Sequence, residues 1–247
     1  MPRVDDREIR EYIESHIPEF HRRRLEKLQE LRLRDILKRK NPYLFKAKAI
    51  NTAQDLVKSI LDAHLSSQEE GIFGDFLENL SLFICNRTYR GIKSTAEGID
   101  LEFIRNRRRY IVSIKSGPNW GNSRQIAKMR DDFNRAKRIS GGKNRGNIFA
   151  VNGCCYGKDD NPNKGDYFKY CGQRFWELIS GDTNLYLRII EPLGHTARRR
   201  NDEFQGEYGR VITRFTRDFT IEYCDDNGAI NWERLLRFNS AQSNRIR

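Results

Sequence analysis

Residues 98–123 read GIDLEFIRNRRRYIVSIKSGPNWGNS. Ile99, Leu101 and Phe103 alternate with Asp100 and Glu102, the period of two expected of a strand with one buried face. Asn106-Arg107 supplies a turn, and RRRYIVSIKSG follows as a second, β-branched strand that pairs antiparallel with the first. Side chains alternate across the pleat, so Ile111, Ser113 and Lys115 share one face while Val112 and Ile114 share the other. The pairing brings Asp100 and Lys115 to one end of the hairpin. A carboxylate beside a lysine on adjacent strands suits metal-assisted phosphodiester hydrolysis: the acid holds a divalent cation, and the lysine orients the attacking water and neutralises phosphate charge. An edge hairpin with a surface Asp and Lys has the same spacing, so the flanking elements have to decide between the two.

Outward from the hairpin, Ile126, Met129, Phe133 and Ala136 fall at helical spacing and predict a helix over 123–139, with Ser123 as its N-cap. At about 100° per residue, Gln125 and Asp132 flank its apolar face on one side, whereas Asp131 points away. NIFAVNGCCYG then reads as an apolar strand. Upstream, QEEGIFGDFLENLSLFIC reads as a helix with Phe73, Phe76, Leu77, Leu80 and Ile84 toward the core; Glu70 and Glu78 lie near two turns apart on it and share a face. The order of helix, hairpin, turn, helix and strand fits a mixed sheet flanked by helices.

Asp100, twelve intervening residues, then Ser113-Ile114-Lys115 resembles the type II restriction endonucleases of the PD-(D/E)XK nuclease superfamily. There an acid ends one strand and an acid-x-Lys triplet follows on the next. Ser113 departs from that pattern, standing where the second acid is found. The run SGPNWGN at 116–122 is similar to restriction enzymes of a PmeII-like group. The resemblance covers about residues 50–155 and implies an α/β fold: a restriction-endonuclease-like core, a mixed β-sheet flanked by helices in an αβββαβ-type order, with N- and C-terminal helical additions. It implies Mg²⁺-dependent cleavage of double-stranded DNA at a specific sequence, with Asp100 a metal ligand, Lys115 positioning the water and Ser113 filling the degenerate acid position. The missing carboxylate is expected from Asp132 first, or else from Glu70 or Glu78, with Glu70 preferred of those two; a solvated acidic surface is the plain alternative for each. Asn119, Trp120, Asn122 and Gln125 are the expected DNA contacts after the lysine. The resemblance further implies a homodimer, a cognate DNA methyltransferase as genetic partner, and a place in the cytoplasm of a prokaryotic cell. A repair or recombination nuclease of the same fold, and a catalytically silent nucleic-acid-binding protein, are the rival readings.

Composition agrees with a polyanionic partner. Over 247 residues, 46 Lys and Arg against 34 Asp and Glu give a formal net charge of +12, and such an excess attracts nucleic acid through counterion release. No apolar run is long enough for a membrane span, and the N-terminus lacks the apolar core of a secretory signal. The five cysteines contain no C-x-x-C pair, and the histidines no H-x-H or H-E-x-x-H arrangement, against a disulfide scaffold or a zinc hydrolase. Residues 1–48 are expected to be a basic helical region for dimerisation or DNA contact, with the apolar stripe broken around Pro18 and KRKNPYLFKAK an extended connection anchored by Tyr43 and Phe45. Residues 49–247 are expected to form the endonuclease domain, with a DNA-contacting helical part from about 156. There, YGKDDNPNKGDYFKYCGQ includes a polar loop, RFWELISG is a short helix ending at Gly181, and an Arg cluster at Arg198, Arg199 and Arg200 leads into a long helix whose Arg210, Arg214 and Arg217 lie near one stripe, for phosphate or base contact or as an ordinary exposed face. A last helix is expected over 231–238, and SAQSNRIR as a frayed tail.

Overall fold

The computed structural model describes residues 4–141, 147–194 and 197–242. A short strand β1 (Ile92–Lys93) leads into the expected hairpin, β2 (Leu101–Arg105) and β3 (Arg108–Lys115). β2 and β3 pair antiparallel from Leu101↔Val112 to Arg105↔Arg108. Asn106 and Arg107 both take positive φ, 52° and 61°, the mirror-image turn whose twist matches that of the flanking strands. α5 (Ser123–Gly141) carries the chain back to β4 (Ile148–Cys154), which runs parallel to β3, and β5 (Phe168–Cys171) is parallel to β4. The sheet order is β1-β2-β3-β4-β5. With the long helix α4 (Ala53–Tyr89) before β1, the order α4-β1-β2-β3-α5-β4 is the expected αβββαβ core.

The period of two sorts the two faces of this sheet. Leu101, Phe103, Val112, Ile114 and Val151 join Phe76, Leu77, Leu80 and Ile84 of α4 in one buried cluster. Ile111, Ile148 and Ala150 join Met129, Phe133 and Ala136 of α5 in another. The helix spacing read around each strand is therefore the spacing that meets it.

The chain forms two compact units, Met1–Phe20 with Phe73–His195, and His21–Ile72 with Thr196–Arg247. The first holds the sheet, α5, α6 (Gln173–Ser180), α7 (Leu185–Arg188) and α8 (Ile190–Leu193); the second holds α2 (Leu33–Leu37), α3 (Pro42–Ala47), α9 (Ala197–Tyr223) and α10 (Trp232–Ser240). The second has its own core, in which Leu28, Leu56, Leu61, Phe219 and Tyr223 are almost wholly buried. These units cut across the expected boundary at residue 48, because α1 (Asp6–Gln29) and α4 each contribute to both.

Several local expectations are corrected. α1 runs through Pro18 without a break, its cost offset by burial of Ile13 and Ile17 in the core cluster. KRKNPYLFKAK contains α3 instead of an extended connection: Asn41 accepts hydrogen bonds from the Tyr43 and Leu44 amides, and Pro42 occupies the first turn, where its missing N–H costs nothing. Phe45 is buried as an anchor, but Tyr43 is 66% exposed. The polar stretch after β4 contains β5, which periodicity did not reveal because three of its four residues are only partly buried. The short helix does end at Gly181, in left-handed conformation at φ 73°. The long and last helices form as α9 and α10, the latter capped by Asn231; residues 243–247 of the expected tail lie outside the described residues.

Candidate active site

Asp100, just before β2, and Lys115, the last residue of β3, stand at the same end of the hairpin, within the first unit. Asp100 lies one residue beyond the Leu101↔Val112 pair, at the point where the regular ladder ends. Its amide donates to the Val112 carbonyl at 2.9 Å, and its Oδ2 accepts from the Ile114 amide at 2.6 Å. A charged acceptor on a backbone N–H makes a strong hydrogen bond. The carboxylate is thus pinned across the strand by one oxygen, while Lys115 stands two residues along from the buried Ser113 and on the same face.

Glu78 of α4 is the further acid that this place brings in. Its carboxyl is held above the ordinary range, first by burial and then by the negative charge of Asp100, against the opposing pull of Lys93 and Lys115. Lys93 of β1 approaches it at 3.5 Å. Glu78 is therefore in electrostatic reach of both Asp100 and Lys115. Asp132 is placed differently: it is 4% exposed, ion-paired to Lys128 at 3.2 Å and Arg135 at 3.7 Å, with Glu97 sharing both cations. Gly98, at φ +76°, lies so close to it that a Cβ would come within 2.3 Å of its Oδ2. The surroundings of Asp132 are those of a clamp on the turn before Asp100. Glu70 is exposed and belongs to the second unit.

The turn after Lys115 is folded inward. The Lys115 ammonium sits 5.2 Å from the centre of the Trp120 ring, and the indole N–H donates to Asn152 Oδ1 of β4 at 3.1 Å. Asn122 and Gln125 cap α5 reciprocally: the Asn122 amide donates to Gln125 Oε1 at 2.9 Å, and the Gln125 amide to Asn122 Oδ1 at 3.1 Å. Asn122, in place of the expected Ser123, is therefore the N-cap. Asn119 is exposed on the same turn. Among the arginines of α9, Arg198 and Arg199 are exposed, Arg200 pairs with Glu203 at 3.6 Å, Arg210 with Glu207 at 3.1 Å, and Arg214 stacks on Phe215. Sequence reasoning missed Asn152 and Lys93. The signal for Asn152 was a lone amide inside an apolar strand, whereas Lys93 had none, since its strand is two residues long.

Among the described residues no group of three or more His, Cys, Asp or Glu stands ready to hold a metal. Mg²⁺ does not need one, because it keeps several waters and takes one or two carboxylates plus substrate phosphates. Asp100 and Glu78 fit that demand: the Asp100 charge pushes up the half-buried Glu78 carboxyl, an imbalance a divalent cation relieves. All five cysteines are free and buried, and none contributes.

The family model for type II restriction endonuclease EcoO109I matches residues 7–201. The chain belongs to that family of restriction endonucleases. The EcoO109I-family match takes in α4, the hairpin, the sheet and the start of α9, extending the likeness well beyond residues 50–155 and agreeing with the mixed sheet flanked by helices. Arg198, Arg199 and Arg200 fall within it and Arg210 and Arg214 beyond it; it does not bear on the PmeII-like group. Comparison with curated proteins gives no match. No helix among the described residues is long and apolar enough to cross a membrane.

Proposed function

We propose that this restriction endonuclease hydrolyses double-stranded DNA at a specific sequence with Mg²⁺, using Asp100 and Glu78 as metal ligands and Lys115 at the scissile phosphate. The observation that carries the reading is Asp100, pinned to the Ile114 amide at the end of the hairpin where Lys115 stands, with Glu78 in electrostatic reach of both. Glu78 then supplies the carboxylate that Ser113 lacks, from a helix in place of the strand. A bound divalent cation supplies charge neutralisation at the phosphate and a more acidic attacking water. The protein's part is placement. The Ile114 amide fixes one oxygen of Asp100 and leaves the lone pairs of the other for a ligand, and Lys115 offers a cation to the phosphate oxygens and a donor that orients the water. Trp120 and Asn122, folded inward or capping α5, are less free to touch DNA than Asn119 and the exposed arginines of α9. Cutting both strands of a palindromic site is met by a homodimer with one site per strand, and a cognate methyltransferase would protect the host.

Cleavage of methylation-free phage DNA with Mg²⁺ tests this. Native protein should give discrete fragments, with rates lowered on the order of 10²-fold or more in Asp100→Ala, Lys115→Ala and Glu78→Gln. A smear would indicate a nuclease without sequence specificity. Binding without cleavage over a range of divalent metals would leave the silent DNA-binding reading, and full activity in Glu78→Gln with loss in Asp132→Asn would return the second carboxylate to Asp132.

A further inference from the structure

We propose that Trp120 and Asn152 form a clamp that positions Lys115, which rests on the reading of Lys115 as a nuclease lysine. The indole has one polar atom and it can only donate. That N–H is turned to Asn152 Oδ1 at 3.1 Å, and Asn152, 1% exposed, uses its own amide to donate to the Ser113 carbonyl at 3.3 Å. Asn152 is the register partner of Ser113 on the neighbouring parallel strand. The amide thus satisfies an acceptor on β3 and a donor on Trp120 at once, which neither a carboxylate nor an apolar side chain does. The ring so fixed packs against the α5-facing core, and its π-face lies 5.2 Å from the Lys115 ammonium, inside the range of a cation–π contact.

Lys115 needs such a partner because of Ser113. Residues two apart on a strand share a face, so a carboxylate at 113 would stand beside the ammonium as its counter-charge. Ser113 carries none and is buried. The lysine stem is flexible, and a reacting group delivered without a fixed direction loses much of its effect. Trp120 supplies the direction through a quadrupole in place of a charge, and Asn152 holds the ring. Both are positioning residues: neither has to touch DNA.

The experiment compares native protein with Trp120→Leu, Trp120→Phe and Asn152→Leu, first by NMR of lysine-¹³C-labelled chain and then by cleavage of phage DNA with Mg²⁺. The expected result is a Lys115 ε-methylene signal shifted upfield by the ring current in native protein, reduced in Trp120→Phe and Asn152→Leu and lost in Trp120→Leu. With it goes a kcat about tenfold lower in Trp120→Leu at a KM within about twofold of native, and a smaller, similar loss in Asn152→Leu and Trp120→Phe, each of which keeps a ring but lacks the hydrogen bond that fixes it. If Trp120→Leu has no cooperative melt, Trp120→Met replaces it as an apolar filler without a π-face. An unshifted native signal, an unchanged kcat, a rise in KM alone (a DNA contact), or Trp120→Phe no better than Leu overturns the clamp. Native protein that does not cut, or Lys115→Ala that cuts at the native rate, defeats the nuclease reading instead; the existence of the clamp is then decided by the ring-current shift alone.

Discussion

Glu78 is the residue on which the proposed metal site turns, and its environment makes two measurable statements. Its carboxyl is raised by burial and by Asp100, so the folded chain binds that proton more tightly than the unfolded chain does. Native stability without metal should therefore fall as pH rises from the ordinary carboxylate range through the raised value, and this step should be missing from urea titrations of Glu78→Gln. A cation that relieves the repulsion binds only the folded state. At about ten times its dissociation constant Mg²⁺ should raise the native melting temperature by about 3 °C, and leave Glu78→Gln nearly unmoved, as read by calorimetry. Gly98 tests the neighbouring acid. At φ +76°, with Asp132 Oδ2 2.3 Å from the position a Cβ would take, Gly98→Ala should lose about 2 kcal/mol in denaturant unfolding, whereas an open turn would tolerate it.

At the scale of elements, the hairpin sets the geometry of the site because its register decides which side chain faces which. The turn that fixes this register places Arg107 at φ 61°, where a residue without a Cβ is favoured. Asn-Gly is the preferred pair for such a turn, so Arg107→Gly should stabilise the chain by about 0.5 kcal/mol, measurable as a higher urea midpoint at unchanged slope. β1, although only two residues long, delivers Lys93 to Glu78. α4 and α5 cover opposite faces of the sheet. That is why α4, reaching the end of the hairpin, can offer Glu78 to the proposed site while Asp132 of α5 is held by Lys128 and Arg135.

For the whole molecule the governing quantity is the formal charge of +12. DNA binding driven by phosphate contacts loses affinity with salt at a slope of about −0.9 per phosphate neutralised. Replacing Arg198 and Arg199, exposed on α9, by alanine should weaken binding to cognate and unrelated duplexes alike and lower the slope by about 2, measured by fluorescence anisotropy between 50 and 200 mM salt, as an order of magnitude. A loss confined to the cognate duplex would instead make them base-reading residues.

Much of the core was legible because it depends on periods that local chemistry imposes. Alternation at 99–103 and 111–115, helical spacing at 126–136, and the glycine at 181 each reflect the period or the ending of a single element, and each element formed there. Where competing signals were short, the reading failed: α3 hid behind Pro42 and its Asn41 cap, and β5 behind polar neighbours. The sequence by itself determined the fold class, the hairpin that carries Asp100 and Lys115 at one end, and the positive charge that favours a polyanionic partner, since strand alternation and net charge do not depend on distant contacts. Only the tertiary structure decided that Glu78 lies beside Asp100, that Asp132 is held by Lys128, Arg135 and the Gly98 turn, and that Trp120 turns in on Lys115. Those outcomes depend on how α4, α5 and β4 pack around the hairpin, and helix phase alone leaves several acids equally placed until a neighbour's charge and burial distinguish them.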